Sequence, residues 1–167
     1  MVPQVHRESI RAMTHKVVVP TIQALPDYVG AEFGPSSWVT IGQERINDFA
    51  RATGDDQWIH IDQERAKRES PFGNTVAHGY LTLSLASTLL PEIFEVESYS
   101  HIVNYGVDKV RLREPVPVES RLRLSGQVES VRNVAGGAAR VTISLKYEVE
   151  NARRAVCTAE GIYIYFP

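Results

Sequence analysis

From residue 99 onward, apolar and polar positions alternate. Val141, Ile143, Leu145, Tyr147 and Val149 interleave with Thr142, Ser144, Lys146, Glu148 and Glu150, the period-two pattern of a strand with one buried face. The run is well beyond the usual ~5 to 6 residues of a strand. Leu122, Leu124, Gly126 and Val128 alternate in the same way with Arg121, Arg123, Ser125 and Gln127. Residues 99–112 begin on one parity with Val103, Tyr105 and Val107 and change to Val110 and Leu112, which predicts a bulge near Gly106 or Asp108. Residues 133–137 read as a loop, Asn151-Ala152 as a tight turn and residues 155–165 as a last strand.

Before residue 99 the period is helical. Ile46, Phe49, Ala50 and Thr53 share one face of a helix. Thr40 and Gln43 fit a capping box at its start, and Gly54 fits a left-handed cap at its end. Asp62 caps a short helix over 63–68, residues 70–74 form a loop, and Thr75 caps a helix over 76–90. In that helix Leu81, Leu83, Leu85, Ala86, Leu89 and Leu90 lie all around the wheel, so it is expected to be buried on most sides, and Pro91 is expected to end it. Residues 37–41 read as a strand and 21–28 as a short helical turn. Residues 1–20 read as an N-terminal extension, and 21–167 as one domain.

A long antiparallel sheet with one apolar face needs a cover, and one helix of this chain is apolar enough to supply it. The expected class is therefore α+β, a sheet wrapped around a central buried helix in the manner of a hot-dog fold.

Composition narrows the function classes. The 167 residues are 43% hydrophobic and 23% charged, ordinary for one globular domain. The net charge is −2 with scattered Lys and Arg, so no basic footprint for nucleic acid or an anionic membrane is expected. Cys157 is the only cysteine, which excludes an intrachain disulfide and a cysteine-based zinc site. No run approaches the ~20 apolar residues of a membrane span. A cytoplasmic location is the expectation.

Two short stretches carry chemistry. Thr53-Gly54-Asp55-Asp56-Gln57-Trp58-Ile59-His60 puts an acid and an imidazole five positions apart, directly after a helix end. A carboxylate can take a proton from water while an imidazole holds or donates another; the same residues also suit a turn and a surface histidine. Ala77-His78-Gly79 opens the most apolar helix. A glycine there costs about 1 kcal/mol against alanine, which points to close approach by another group, whether a substrate oxygen on the first-turn N–H groups or tightly packed sheet. Asp55, Asp56, His60, Asp62 and His78 are possible metal ligands, but zincin and calcium-loop spacings are absent, so no metal and no cofactor are expected. Lys109, Arg111 and Arg113 form a cationic strip that reads as a solvated strand edge.

Together, Ala-Thr-Gly-Asp-x-x-x-x-His, Val-Ala-His-Gly opening a buried helix, and a Pro-Val-Pro-Val turn resemble the MaoC-like (R)-specific enoyl-CoA hydratase family. The likeness runs from about Trp38 to Tyr165, and Gln57-Trp58-Ile59-His60 with Asn104-Tyr105-Gly106 is most similar to its nodulation protein N-like subgroup. The resemblance implies a hot-dog homodimer that adds water to a trans-2-enoyl thioester, on coenzyme A or acyl-carrier protein, giving the (R)-3-hydroxyacyl thioester. It implies that Asp55 and His60 activate the water and that the Gly79 N–H polarises the thioester carbonyl. Gln57, Trp58, His78 and Asn104 are the pocket candidates. Gln57-Trp58 replaces the commoner Asn-Pro of the family, which marks a variant pocket wall. Two alternatives stand beside this reading: a hot-dog acyl-CoA thioesterase, and a non-catalytic acyl-thioester-binding subunit.

Overall fold

The computed structural model describes residues 15–167; most of the expected N-terminal extension lies outside them. Its last part is packed into the domain, because β1 (Val17–Val19) pairs in parallel with β4 (Phe94–Val96) and buries Val17 and Val19. A 3₁₀ helix (Ile22–Tyr28), containing Pro26, places Ile22 and Leu25 in the same core.

The main sheet is antiparallel. Its path is β2 (Glu32–Phe33), β6 (Ser120–Asn133), β7 (Ala139–Val149), β8 (Cys157–Phe166) and β5 (His101–Leu112), and β3 (Val39–Ile41) also pairs with β6. Leu122, Leu124 and Val128 of β6 are buried with Val141, Ile143, Leu145 and Tyr147 of β7, so the predicted alternation sets the face. The predicted bulge exists: the β5–β8 register shifts between Asn104 and Gly106, and again between Asp108 and Arg111.

The inner face is covered by a helix in two pieces, α4 (Gly79–Ser84) and α5 (Ala86–Ile93), which contribute Leu81, Leu85, Leu89, Leu90 and Ile93 to the core. Three expectations for it need correction. The helix starts at Gly79, not after Thr75, because the donors of Val76 and Ala77 are taken by Ile59 O and Val116 O. It is interrupted at Leu85, where Tyr147 Oη donates to Leu83 O at 2.7 Å. It continues through Pro91 to Ile93; the carbonyl that Pro91 cannot serve belongs to Ser87, an exposed residue whose carbonyl water can satisfy. One flank, including Tyr80, Ser84, Ser87 and Thr88, is open.

Before these come α1 (Gln43–Thr53), α2 (Trp58–Ile61) and α3 (Gln63–Glu69). Gly54 caps α1 at φ 77°, and Asp62 Oδ1 caps α3 through Arg65 N–H, both as predicted. The capping box does not form: Gly42 is the cap of α1, and Gln43 turns its side chain elsewhere. Among the described residues no helix is long and apolar enough to cross a membrane.

Candidate active site

Asp55 owes its position to the end of α1. Gly54 reverses the chain with its N–H on Ala50 O, and Thr53 Oγ1, itself donating to Phe49 O, receives the Asp55 N–H at 3.3 Å. The Asp55 side chain is exposed. Five residues later α2 turns His60 inward until the residue is only 8% exposed.

The His60 ring is oriented by the chain just before α4. Its Nδ1 lies 2.6 Å from Val76 O, and because a carbonyl only accepts, Nδ1 carries the proton and the neutral ring keeps its lone pair on Nε2. Burial lowers the His60 pKa below its ordinary value of 6.5. The bond to Val76 opposes this, the neighbouring His78 adds to the lowering, and the Asp55 charge opposes it. The uncharged, proton-accepting form is thus the one present at neutral pH.

His78, the residue before α4, stacks on His60 with ring centroids 3.9 Å apart and also touches Phe49. Its Nε2 donates to Asp55 O at 2.9 Å, while its buried Nδ1 has no hydrogen-bond partner among the described residues. Leaving a buried acceptor unmatched costs about 1–3 kcal/mol, a cost this site carries while His78 anchors the Asp55 backbone.

Ligand atoms of Asp55, His60 and His78 all fall within 4.8 Å of one another. One water making two hydrogen bonds of about 2.8 Å can bridge such a gap. The two imidazoles are stacked at an interplanar angle of 28°, which keeps their in-plane lone pairs in nearly parallel planes. The geometry suits proton transfer better than chelation.

Gly79 is the first residue of α4, so its N–H has no intrahelical acceptor. A Cβ there would collide with Leu112 Cδ1 from the end of β5. Gly79 and Leu112 line a cavity of about 280 Å³ with Phe72, Ala77, Thr82 and Val116.

The other candidates are placed apart from this group. Asn104 lines a second cavity, of about 450 Å³, with Leu90, Ile102, Tyr163 and Tyr165. Gln57 is exposed, and its carbonyl accepts the His60 N–H. The Trp58 ring lies 4.3 Å beneath the Arg65 guanidinium, facing α3. In the cationic strip, Lys109 pairs with Glu160 and Arg111 bonds to Val110 O, as a solvated edge would. Sequence reasoning missed Gln43, Thr75 and the Val76 carbonyl as parts of the site. Nothing in their spacing relates them, since Gln43 and Thr75 each looked like a cap.

Comparison with known proteins follows the same lines. Residues 25–151 match the family model described as a MaoC like domain. Over 136 residues the chain is 45% identical to 3-hydroxyacyl-thioester dehydratase Z of Mycobacterium tuberculosis, covering 81% of this chain and 89% of that one. It is 40% identical over 144 residues to nodulation protein N of Rhizobium leguminosarum bv. viciae, covering 84% and 88%. The solved (R)-hydratase from A. caviae involved in PHA biosynthesis superposes with a TM-score of 0.66 at 20% identity, covering 83% and 96%, and so shares the fold. With the family model spanning most of the chain and relatives at these identities, the chain belongs to the MaoC-like family.

Proposed function

We propose that the protein is a hydro-lyase that adds water reversibly to trans-2-enoyl thioesters, on coenzyme A or acyl-carrier protein, to give (R)-3-hydroxyacyl thioesters. The observation that carries this reading is the His60 ring, held at Nδ1 by Val76 O so that Nε2 is the free lone pair, with the Asp55 carboxylate close by. The dehydratase named among its relatives supports the substrate class.

In the forward direction the water oxygen bonds to the β-carbon as the Asp55–His60 pair takes its proton. The double-bond electrons move toward the thioester, negative charge gathers on the carbonyl oxygen, and the Gly79 N–H stabilises it. The pair then returns a proton to the α-carbon, so one water is added overall. No metal or cofactor takes part. Of the pocket candidates, His78 packs on His60 and the Gln57 carbonyl holds the His60 main chain, while Trp58 and Asn104 lie apart from the pair. The working form is a homodimer, since among the described residues β5 ends the sheet with Val103, Tyr105 and Val107 exposed on a strand paired only with β8.

A stereochemically resolved hydration assay across chain lengths tests the reading. Crotonyl-CoA or longer enoyl-CoAs should lose their enoyl absorbance and give the (R) alcohol. Asp55→Asn and His60→Gln should each lower kcat by about 10² or more. The acid limb of the parental kcat/KM profile should have its midpoint below 6.5, because burial favours neutral His60. Absence of hydration, or Asp55→Asn equal to the parent, would sink the proposal. Thiol release from a saturated acyl-CoA would replace it with a thioesterase.

A further inference from the structure

We infer that Gln43 is a positioning residue for His60, clamping the backbone of α2 and the chain before α4 to the start of α1. The inference rests on His60 acting as the proton acceptor proposed above. Gln43 Nε2 donates to His60 O at 2.7 Å and to Asn47 Oδ1 at 2.8 Å, and Gln43 Oε1 accepts from Thr75 Oγ1 at 2.6 Å. Both amide hydrogens and the amide oxygen are therefore engaged.

The geometry makes these bonds bear on the imidazole. The His60 ring is steered by Val76 O, and Val76 follows Thr75, whose fully buried hydroxyl has no access to water. The two ends of the His60 hydrogen bond are thus both tied to one side chain: the His60 main chain through Nε2, and the carbonyl that holds its ring, one residue on, through Oε1. Two segments 32 residues apart in the chain, at Gln43 and Thr75, meet at this amide. A half-buried glutamine at the first position of a helix would ordinarily face solvent, and here it does not cap α1 either.

Gln43→Glu is nearly isosteric and isolates the donor arm: it keeps an acceptor for Thr75 but sets an oxygen against His60 O. It should lower kcat about 10- to 100-fold through misplacement of the ring while KM stays within about twofold. Thr75→Val should lower kcat in the same manner, and Thr75→Ser, which retains the hydroxyl, should restore it. In protein labelled at histidine, the His60 titration followed by NMR should move up toward 6.5 in Thr75→Val, which breaks the clamp without adding charge, as the ring loses its buried setting. The titratable groups facing His60, namely His78 and Asp55, are unchanged in the Thr75 variants, whereas the Gln43→Glu carboxylate itself raises the His60 titration, so that variant is read by kcat and KM alone. Circular dichroism melts check folding; should Gln43→Glu not fold, the Thr75→Val and Thr75→Ser pair carries the same test. Parental kcat together with an unmoved His60 titration overturns the inference. If the parent itself hydrates no enoyl thioester, the functional reading fails, and the NMR arm still decides the clamp: a raised midpoint supports it and an unmoved one overturns it.

Discussion

At Gly79 the role proposed for its N–H and the demands of helix stability pull in different directions. Alanine at the first position of α4 is favoured over glycine by up to about 1 kcal/mol, and the group its Cβ would strike is the far end of the Leu112 side chain, which can swing away. The displaced methyl group has the cavity beside Gly79 to move into. Gly79→Ala is therefore expected to melt at or slightly above the parental temperature yet to lose about tenfold or more in kcat/KM. Adding Leu112→Ala, a change at a half-exposed position, should recover part of that loss in a double-mutant cycle. A Gly79→Ala enzyme with parental kinetics would remove the close-approach argument.

Among the elements, β6 shows how a glycine inside a strand is tied to its neighbours. Gly126 pairs with Phe33 of β2 and with Leu145 of β7. A Cβ at Gly126 would lie 2.6 Å from Phe33 Cε2 and 2.7 Å from the Ser144 carbonyl oxygen. The Ser144 oxygen is backbone inside a long ladder and cannot move alone. Gly126→Ala should accordingly cost about 1–3 kcal/mol, read as a lower urea midpoint with unchanged slope. An unchanged midpoint would mean that β2 shifts away at no cost. At the same scale, the interruption at Leu85 and the passage of α5 through Pro91 belong to the helix as packed, with Tyr147 bonded to Leu83 O at the joint. The helical wheel of residues 76–90 contains no trace of that joint.

For the whole molecule, the open edge is the feature that most needs a partner. β5 is 12 residues long, its residues are almost all solvent-exposed, and among the described residues it offers an unpaired row of backbone groups alongside Ile102, Val103 and Tyr105. A second copy meeting it across a two-fold axis would pair β5 with β5 and cover these side chains. Light scattering across a dilution series should give the mass of two chains, and Val103→Lys should shift it to one. A parental chain that scatters as a monomer at all concentrations would count against the homodimer.

Most of the architecture was legible along the chain because strand alternation and helix periodicity are local consequences of burying one face. The buried set of β6 and β7, the bulge in β5, the Gly54 cap and the Asp62 cap all follow from residues close together in sequence. Asp55, His60 and Gly79 could be singled out in the same way, through motifs a few residues long. Where local signals misled, a distant segment had taken the bonding groups. Ile59 and Val116 hold the N–H groups of Val76 and Ala77 and delay the helix to Gly79, and Gln43 and Thr75 bond to each other in place of capping. The sequence alone thus determined which side chains face the core and which short motifs hold a carboxylate, an imidazole and a glycine at a helix start. Only the tertiary structure decided how these are aimed, because the Val76 carbonyl that sets the His60 tautomer, the His78 ring stacked upon it and the Gln43 amide that ties the two segments come from parts of the chain that meet only when it folds.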